Sequence, residues 1–189
     1  VQDIAAHAID WGEDSAMYRA TVLGEFADSL EDTLVPRSVI AAAVARTLPP
    51  NSSDTVTLSC DVARFGKDKT VVARRQGDFA EMIYKTQGKD LMAIAGWLGR
   101  YCEDNKVDTL VIDDTGLGGG VTDRLREVGT GSTKLVAFKG GEKAKAEKRF
   151  ANKVTESWWA MRDWVMESGK LPDDNDLIGQ VTSRRYTIQ

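Results

Sequence analysis

Val107 to Arg126, VDTLVIDDTGLGGGVTDRLR, carries an apolar stretch into Asp113 and Asp114, then through glycines into a polar helix start. A strand that ends in carboxylates beside a backbone-only turn is suited to hold a divalent cation or a phosphate. A second such ending lies upstream, where Val56-Thr57-Leu58-Ser59-Cys60 reaches Asp61, followed by Arg64, Gly66 and Asp68. Two strands that each deliver an aspartate at their ends predict one site built across a sheet. Carboxylates alone make no good nucleophile at neutral pH. Two divalent ions about 3.5–4 Å apart do, by activating water and stabilising the leaving oxygen of a phosphodiester. Asp61 is the bridging candidate and Asp113 the second ligand, while Asp114, next along the strand, is expected on the opposite face. The one histidine, His7, is far in sequence from both aspartates, which argues against a histidine zinc site or a Ser-His-Asp triad. An oxygen-only donor set favours magnesium or manganese.

The glycines of Gly116-Leu-Gly118-Gly119-Gly120 either cradle a phosphate through backbone N–H groups at a helix start or form a plain tight turn. No G-x-x-x-x-G-K-[ST] occurs, so the chain carries no P-loop. Arg64, Lys67 and Lys69 lie beside the first acid, where they could contact a backbone phosphate. The net charge is −4, but its placement is uneven: Lys134, Lys139, Lys143, Lys145, Lys148, Arg149 and Lys153 face only Glu142 and Glu147, a local excess of five positive charges. A polyanion could be gripped there while the acidic site repels it until metal binds. Trp158, Trp159 and Trp164 are read as packing groups, and Cys60 and Cys102 as buried, reduced thiols.

These residues need elements to position them. With 189 residues, 42% of them hydrophobic, the chain can build one ordinary core plus an appendage. No apolar run approaches the ~18 residues of a membrane span, and no signal peptide opens the chain. The first fifty residues hold an amphipathic stretch and a short helix, Pro36 to Arg46, and Thr47 to Asp54 reads as a linker by its prolines, serines and asparagine. A boundary near Asn51 follows. Three strands come next, Thr55–Asp61, Thr70–Arg75 and Phe79–Thr86. Asp90 caps a helix to Asn105, with Leu91, Ile94, Ala95, Leu98 and Tyr101 at helical spacing. Val107–Asp113 is a continuous apolar run, as in a strand covered on both faces. A helix Val121–Val128, a strand Lys134–Phe138 and a long helix from about Ala146 to Ser168 complete the domain. The order β-β-β-α-β-α-β-α, preceded by an N-terminal linker segment, is that of an α/β mixed sheet flanked by helices. It matches the ribonuclease-H-like fold, in which the first and fourth strands are neighbours, and that adjacency would bring Asp61 and Asp113 together.

The motif pair Asp61-Val-Ala-Arg-Phe-Gly-Lys-Asp68-Lys-Thr70 and Ile112-Asp-Asp-Thr-Gly-Leu-Gly-Gly-Gly-Val-Thr-Asp-Arg-Leu125 resembles the nuclease domain of tailed-phage terminase large subunits. So do Phe150-Ala-Asn-Lys153, Glu156-Ser-Trp158, and Gly169-Lys-Leu-Pro-Asp-Asp-Asn-Asp-Leu177 ending at Arg185-Tyr186. Tyr18 to Phe26 and Leu34-Val-Pro36 resemble the end of that family's ATPase domain and its link to the nuclease. The resemblance implies a metal-dependent endonuclease, acting in the host cytoplasm at the procapsid, that cuts concatemeric double-stranded DNA during genome packaging. It implies the portal protein and a small terminase subunit as partners. Residues 1–50 would be the tail of an upstream ATPase domain with its linker, and 51–189 the nuclease, with no motor activity on this chain. Motif by motif, Asp61 takes the place of the family's first metal ligand and Asp113 that of its second. The family draws its third acid from a later helix with a Ser-Pro-Asp…Asp-Ala-Leu type of motif, which this chain does not contain. Of Asp173, Asp174 and Asp176, Asp174 is the choice for that role. A competing reading keeps the fold as a catalytically impaired remnant or docking module that binds DNA or portal without cutting. A relative of the actin-like fold ranks last, since it needs two such lobes.

Overall fold

Val56, Leu58 and Cys60 alternate with Thr57, Ser59 and Asp61, a period of two that forms strand β1 (Val56–Asp61) with the apolar set buried. The computed structural model describes residues 32–63 and 67–187. Within it, β1 pairs antiparallel with β2 (Thr70–Gln76), which pairs antiparallel with β3 (Phe79–Thr86). On its other side β1 runs parallel to β4 (Thr109–Asp113), and β4 parallel to β5 (Lys134–Phe138). The sheet order is β3-β2-β1-β4-β5, the mixed arrangement expected from the order of elements. β4 alternates between buried and half-buried residues instead of being sealed on both faces, so only Leu110 and Ile112 are fully enclosed.

Helices α2 (Leu91–Asn105) and α3 (Gly118–Val128) cover the face that carries Leu58, Cys60, Val72, Leu110 and Ile112. Ile94, Ala95, Leu98 and Cys102 from α2 and Val121 and Leu125 from α3 fill this core. The expected cap on α2 is in place: the Asp90 carboxylate accepts from the N–H groups of Met92 and Ala93 at 2.8 and 3.0 Å. Cys60 and Cys102 are both buried free thiols, and burial, with Asp61 beside it, pushes the Cys60 thiol up to about 12.

Helix α4 (Lys153–Glu167) begins later than its apolar spacing predicts. Asn152 is extended and its side chain accepts from Thr155 N at 3.0 Å, which sets the helix start. Residues upstream are drawn into turns by hydrogen bonds to α4 itself, described below. At its other end the Arg46 guanidinium donates to the carbonyls of Val165 and Gly169, at 2.8 and 2.6 Å, and so satisfies the last turn. Trp164 donates to Asp78 Oδ1 at 3.1 Å and lies under the Arg75 guanidinium, a packing role as expected for that tryptophan.

The chain divides into two compact units. Arg46–Pro172 holds the sheet, and the second unit combines the residues up to Ala45 with those from Asp173 onward. In the second unit α1 (Arg37–Ala45) buries Ile40 and Ala43, and α5 (Asn175–Thr182) buries Val181. Its two chain segments are tied by Leu34 N to Arg184 O at 2.9 Å, Tyr186 N to Asp32 O at 3.0 Å, and an Arg185–Asp32 ion pair at 2.8 Å. The motif from Tyr18 to Phe26, together with His7, lies outside the described residues.

Candidate metal centre

The pairing of β1 with β4 matches Ser59 with Val111 and Cys60 with Ile112. One step further along the same register, Asp61 comes level with Asp113 on the adjacent strand, where strand axes are about 4.8 Å apart. In both strands the aspartate follows a buried residue, so both side chains belong to the face opposite the main core. Their proximity has an electrostatic signature. The Asp61 carboxyl is raised above its ordinary value, first by desolvation, then by the charges of Asp113 and Asp68, against a lowering contribution from the Val62 N–H. Desolvation acts here even though the Asp61 side chain reaches solvent at the sheet rim, because protein fills one side of it.

Local hydrogen bonds fix both strand ends. Asp113 Oδ1 accepts from Thr115 N at 3.0 Å, an Asx turn that starts the glycine segment. Thr70, fully buried, donates its hydroxyl to Ala63 O at 2.8 Å and accepts from Ala63 N at 3.0 Å, which clamps the β1–β2 connection just past Asp61. Of the basic residues in that connection, Lys67 and Lys69 are exposed and Arg64 lies outside the described residues.

The glycines divide into two roles. Gly116 adopts φ +68°, a left-handed conformation that makes the turn. Gly118, Gly119 and Gly120 are not loop but the first turn of α3, which therefore starts three residues ahead of the expected Val121. At Gly118 a Cβ would overlap the carbonyl oxygen of Asp113 and stand 2.8 Å from its carbon. Helix and strand end thus touch backbone to backbone at the second acid. Asp114 N donates to Phe138 O at 2.8 Å, tying the end of β4 to the end of β5. Its mostly buried side chain lies 3.8 Å from Lys139 Nζ, and Oδ1 accepts no hydrogen bond among the described residues. That oxygen lies beside the amino end of α3, whose dipole favours negative charge.

Asp174 is in the second unit, where it caps α5 and its Oδ1 accepts from Leu177 N at 2.9 Å. Among the described residues no three His, Cys, Asp or Glu side chains form a group able to hold a metal. Asp61 and Asp113 nevertheless make a fitting half-site for a hard cation: two oxygen donors at the ends of adjacent strands, with the Asp61 charge disfavoured until a cation offsets it. Asp68 is the residue sequence reasoning passed over. It stands in the quoted motif, seven positions after Asp61, and only the fold of the connection brings its charge to bear on that carboxylate.

The basic segment leaves the sheet on the same edge. Phe138 is level with Asp113, so the chain from Lys139 onward departs one strand away from the acids. Lys143, Lys145, Lys148 and Arg149 are exposed on it, and Lys153 is half-buried. The segment ends in a stack: Arg149 over Phe150 at 5.2 Å, Phe150 to Trp159 at 6.4 Å between centroids, and Arg162 over Trp159 at 5.0 Å.

The fold has counterparts among solved structures. The nuclease domain of the large terminase subunit gp2 of bacterial virus Sf6 superposes with a TM-score of 0.69 at 16% identity, over 83% of this chain and 84% of that one. The large terminase nuclease from thermophilic phage G20c, solved with bound magnesium, superposes with a TM-score of 0.60 at 12% identity, over 85% of this chain and 84% of that one. This chain has the terminase nuclease fold. A mutant of the Sf6 domain was solved with manganese and β-thujaplicinol, and the G20c nuclease also with zinc and with cobalt. No family model matches the sequence, and no curated protein sequence is similar to it. The terminase fold is ribonuclease-H-like, as the order of elements predicts. No described helix is long and apolar enough to cross a membrane.

Proposed function

We propose that this chain is the nuclease part of a phage terminase large subunit, a divalent-metal-dependent endonuclease that cuts double-stranded concatemeric DNA during genome packaging. The observation that supports the reading is the parallel pairing of β1 with β4 up to Cys60 and Ile112, so that Asp61 and Asp113 follow at one rim of a sheet with the terminase nuclease fold. Asp61 and Asp113 would hold magnesium or manganese. Bound there, two such ions would supply Lewis acidity at the scissile phosphate and a hydroxide nucleophile at neutral pH. The chain's own residues do the remaining work. Thr70 and the Asp113–Thr115 turn keep both carboxylates on rigid elements. Lys67 and Lys69 beside the first acid, and Lys143, Lys145, Lys148, Arg149 and Lys153 beyond β5, attract and seat the phosphate backbone, as does Arg64 in this reading.

Such contacts read no bases, so cleavage shows little sequence preference. Residues 1–50 are assigned to the end of the ATPase domain and its linker, and 51–189 to the nuclease. The portal protein and the small terminase subunit are its partners at the procapsid in the host cytoplasm. Plasmid nicking with manganese tests the proposal: the wild-type chain converts supercoiled to open-circular DNA, and Asp61→Ala does not. Undiminished nicking by Asp61→Ala would remove the assignment.

A further inference from the structure

The basic segment beyond β5 is not a loose tether. Its backbone is pinned to the first turn of α4 at four places. Lys153 N donates to Glu142 O at 2.8 Å and Val154 N to Gly140 O at 2.9 Å. Glu156, one turn into the helix, accepts from Lys145 N at 2.8 Å through one carboxylate oxygen and from Ala146 N at 3.1 Å through the other. Ala144 is buried beneath the turn, and Arg149 N and Phe150 N both donate to Ala146 O, at 2.9 and 3.1 Å. With its backbone fixed, the segment presents Lys143, Lys145, Lys148 and Arg149 outward, and Lys143 is 84% exposed. Charge repulsion alone would spread these cations and leave the turn open. The carboxylate of Glu156 opposes that by satisfying two consecutive amides, one with each of its oxygens.

We propose that Glu156 is a positioning residue that latches residues 139–150 into a preformed cationic surface for the phosphate backbone of duplex DNA, a surface that runs on through Arg149, Phe150, Trp159 and Arg162. The proposal rests on the nuclease reading above and extends it to a residue that touches neither the acids nor the substrate. The latch acts by removing the ordering entropy that a mobile lysine-rich loop would lose on binding. It also sets how many phosphates are met at once. Glu156 therefore governs affinity and its salt dependence, not the hydrolytic step.

The test uses a labelled duplex, the full chain, and anisotropy across a salt series without divalent ions. Gln at 156 keeps one acceptor but turns an NH₂ donor toward the second amide, so Glu156→Gln opens the turn. Its affinity is expected to fall on the order of tenfold, with the slope of log K against log salt shallower by about one to two. Manganese-dependent cleavage at saturating duplex stays at the wild-type rate, so KM changes and kcat does not. Asp90→Ala, which removes a two-amide cap from α2 away from the basic segment, serves as the stability control and is expected to lower the melting temperature yet bind DNA normally. Wild-type binding by Glu156→Gln would overturn the latch and leave the nuclease reading standing. An equal loss in Asp90→Ala would overturn it as well, by tracing the effect to stability. A wild-type chain that bound no duplex would remove both proposals together.

Discussion

Gly118→Ala is the most exacting perturbation of the site, because it adds a single methyl where helix and strand touch backbone to backbone. The added Cβ would lie 2.8 Å from the Asp113 carbonyl carbon, closer still to its oxygen, and 3.3 Å from Ile112 Cγ2. Carbon atoms in contact sit about 3.5–4.0 Å apart and the overlap with the oxygen is deeper still, so the two backbones must separate by more than about 1 Å. Neither can yield as a flexible side chain would. A retreat of α3 opens its packing at Val121, Thr122 and Leu125, all buried, and overpacking of this kind costs about 3 kcal/mol. For a domain of this size that lowers the melting temperature by about 6–12 °C. The alternative, a shift of Asp113, misplaces a proposed ligand by a distance that costs about 10²-fold in rate. Thermal melts followed by circular dichroism, with plasmid nicking on the same preparation below the melt, read both effects. Gly141→Ala is the control, since nothing lies within 4 Å of its Cβ position and its φ is not left-handed, and it should melt with the wild type. If Gly118→Ala melted and nicked like the wild type, the close approach and the reasoning built on it would be refuted.

Two further outcomes follow from the same geometry. A carboxyl whose folded pKa is raised binds more protons folded than unfolded, so its contribution is absent below the unfolded value and becomes a penalty as pH rises through the folded one. Asp61→Asn should therefore melt above the wild type at neutral pH in chelator, with the gap closing as pH falls below the usual aspartate range, while nicking is lost; melts across a pH series decide it. Thr70→Val removes both hydrogen bonds to Ala63 from a buried site, which should cost about 1–3 kcal/mol in urea unfolding and expose the β1–β2 connection to limited proteolysis.

Most of the fold was legible because its signals are local. Strands Phe79–Thr86 and Lys134–Phe138 and the Asp90-capped helix lie where periodicity and capping place them. The neighbouring of β1 and β4 required knowledge of a fold, since no local pattern states which parallel strands pair. Two boundaries misled for physical reasons. Glycine has poor helix propensity, so the run from Gly118 reads as loop, yet the close contact with Asp113 makes glycine obligatory there and the helix forms regardless. Residues 146–151 carry helical composition but are held in turns by Glu156, a contact made across ten positions that periodicity does not register. At the proposed site, spacing nominated Asp61 and Asp113, while the electrostatic involvement of Asp68 depends on the path of the β1–β2 connection.

The joining of β1 to β4 has a temporal meaning. Its partners are separated by an entire hairpin and helix, a long loop that must close before either aspartate gains a companion. During synthesis the β1–β3 meander can form while β4 is still unmade, and such a fragment holds Asp61 and Asp68 without Asp113. The proposed metal centre would thus arrive late and all at once, when the centre of the sheet is finished.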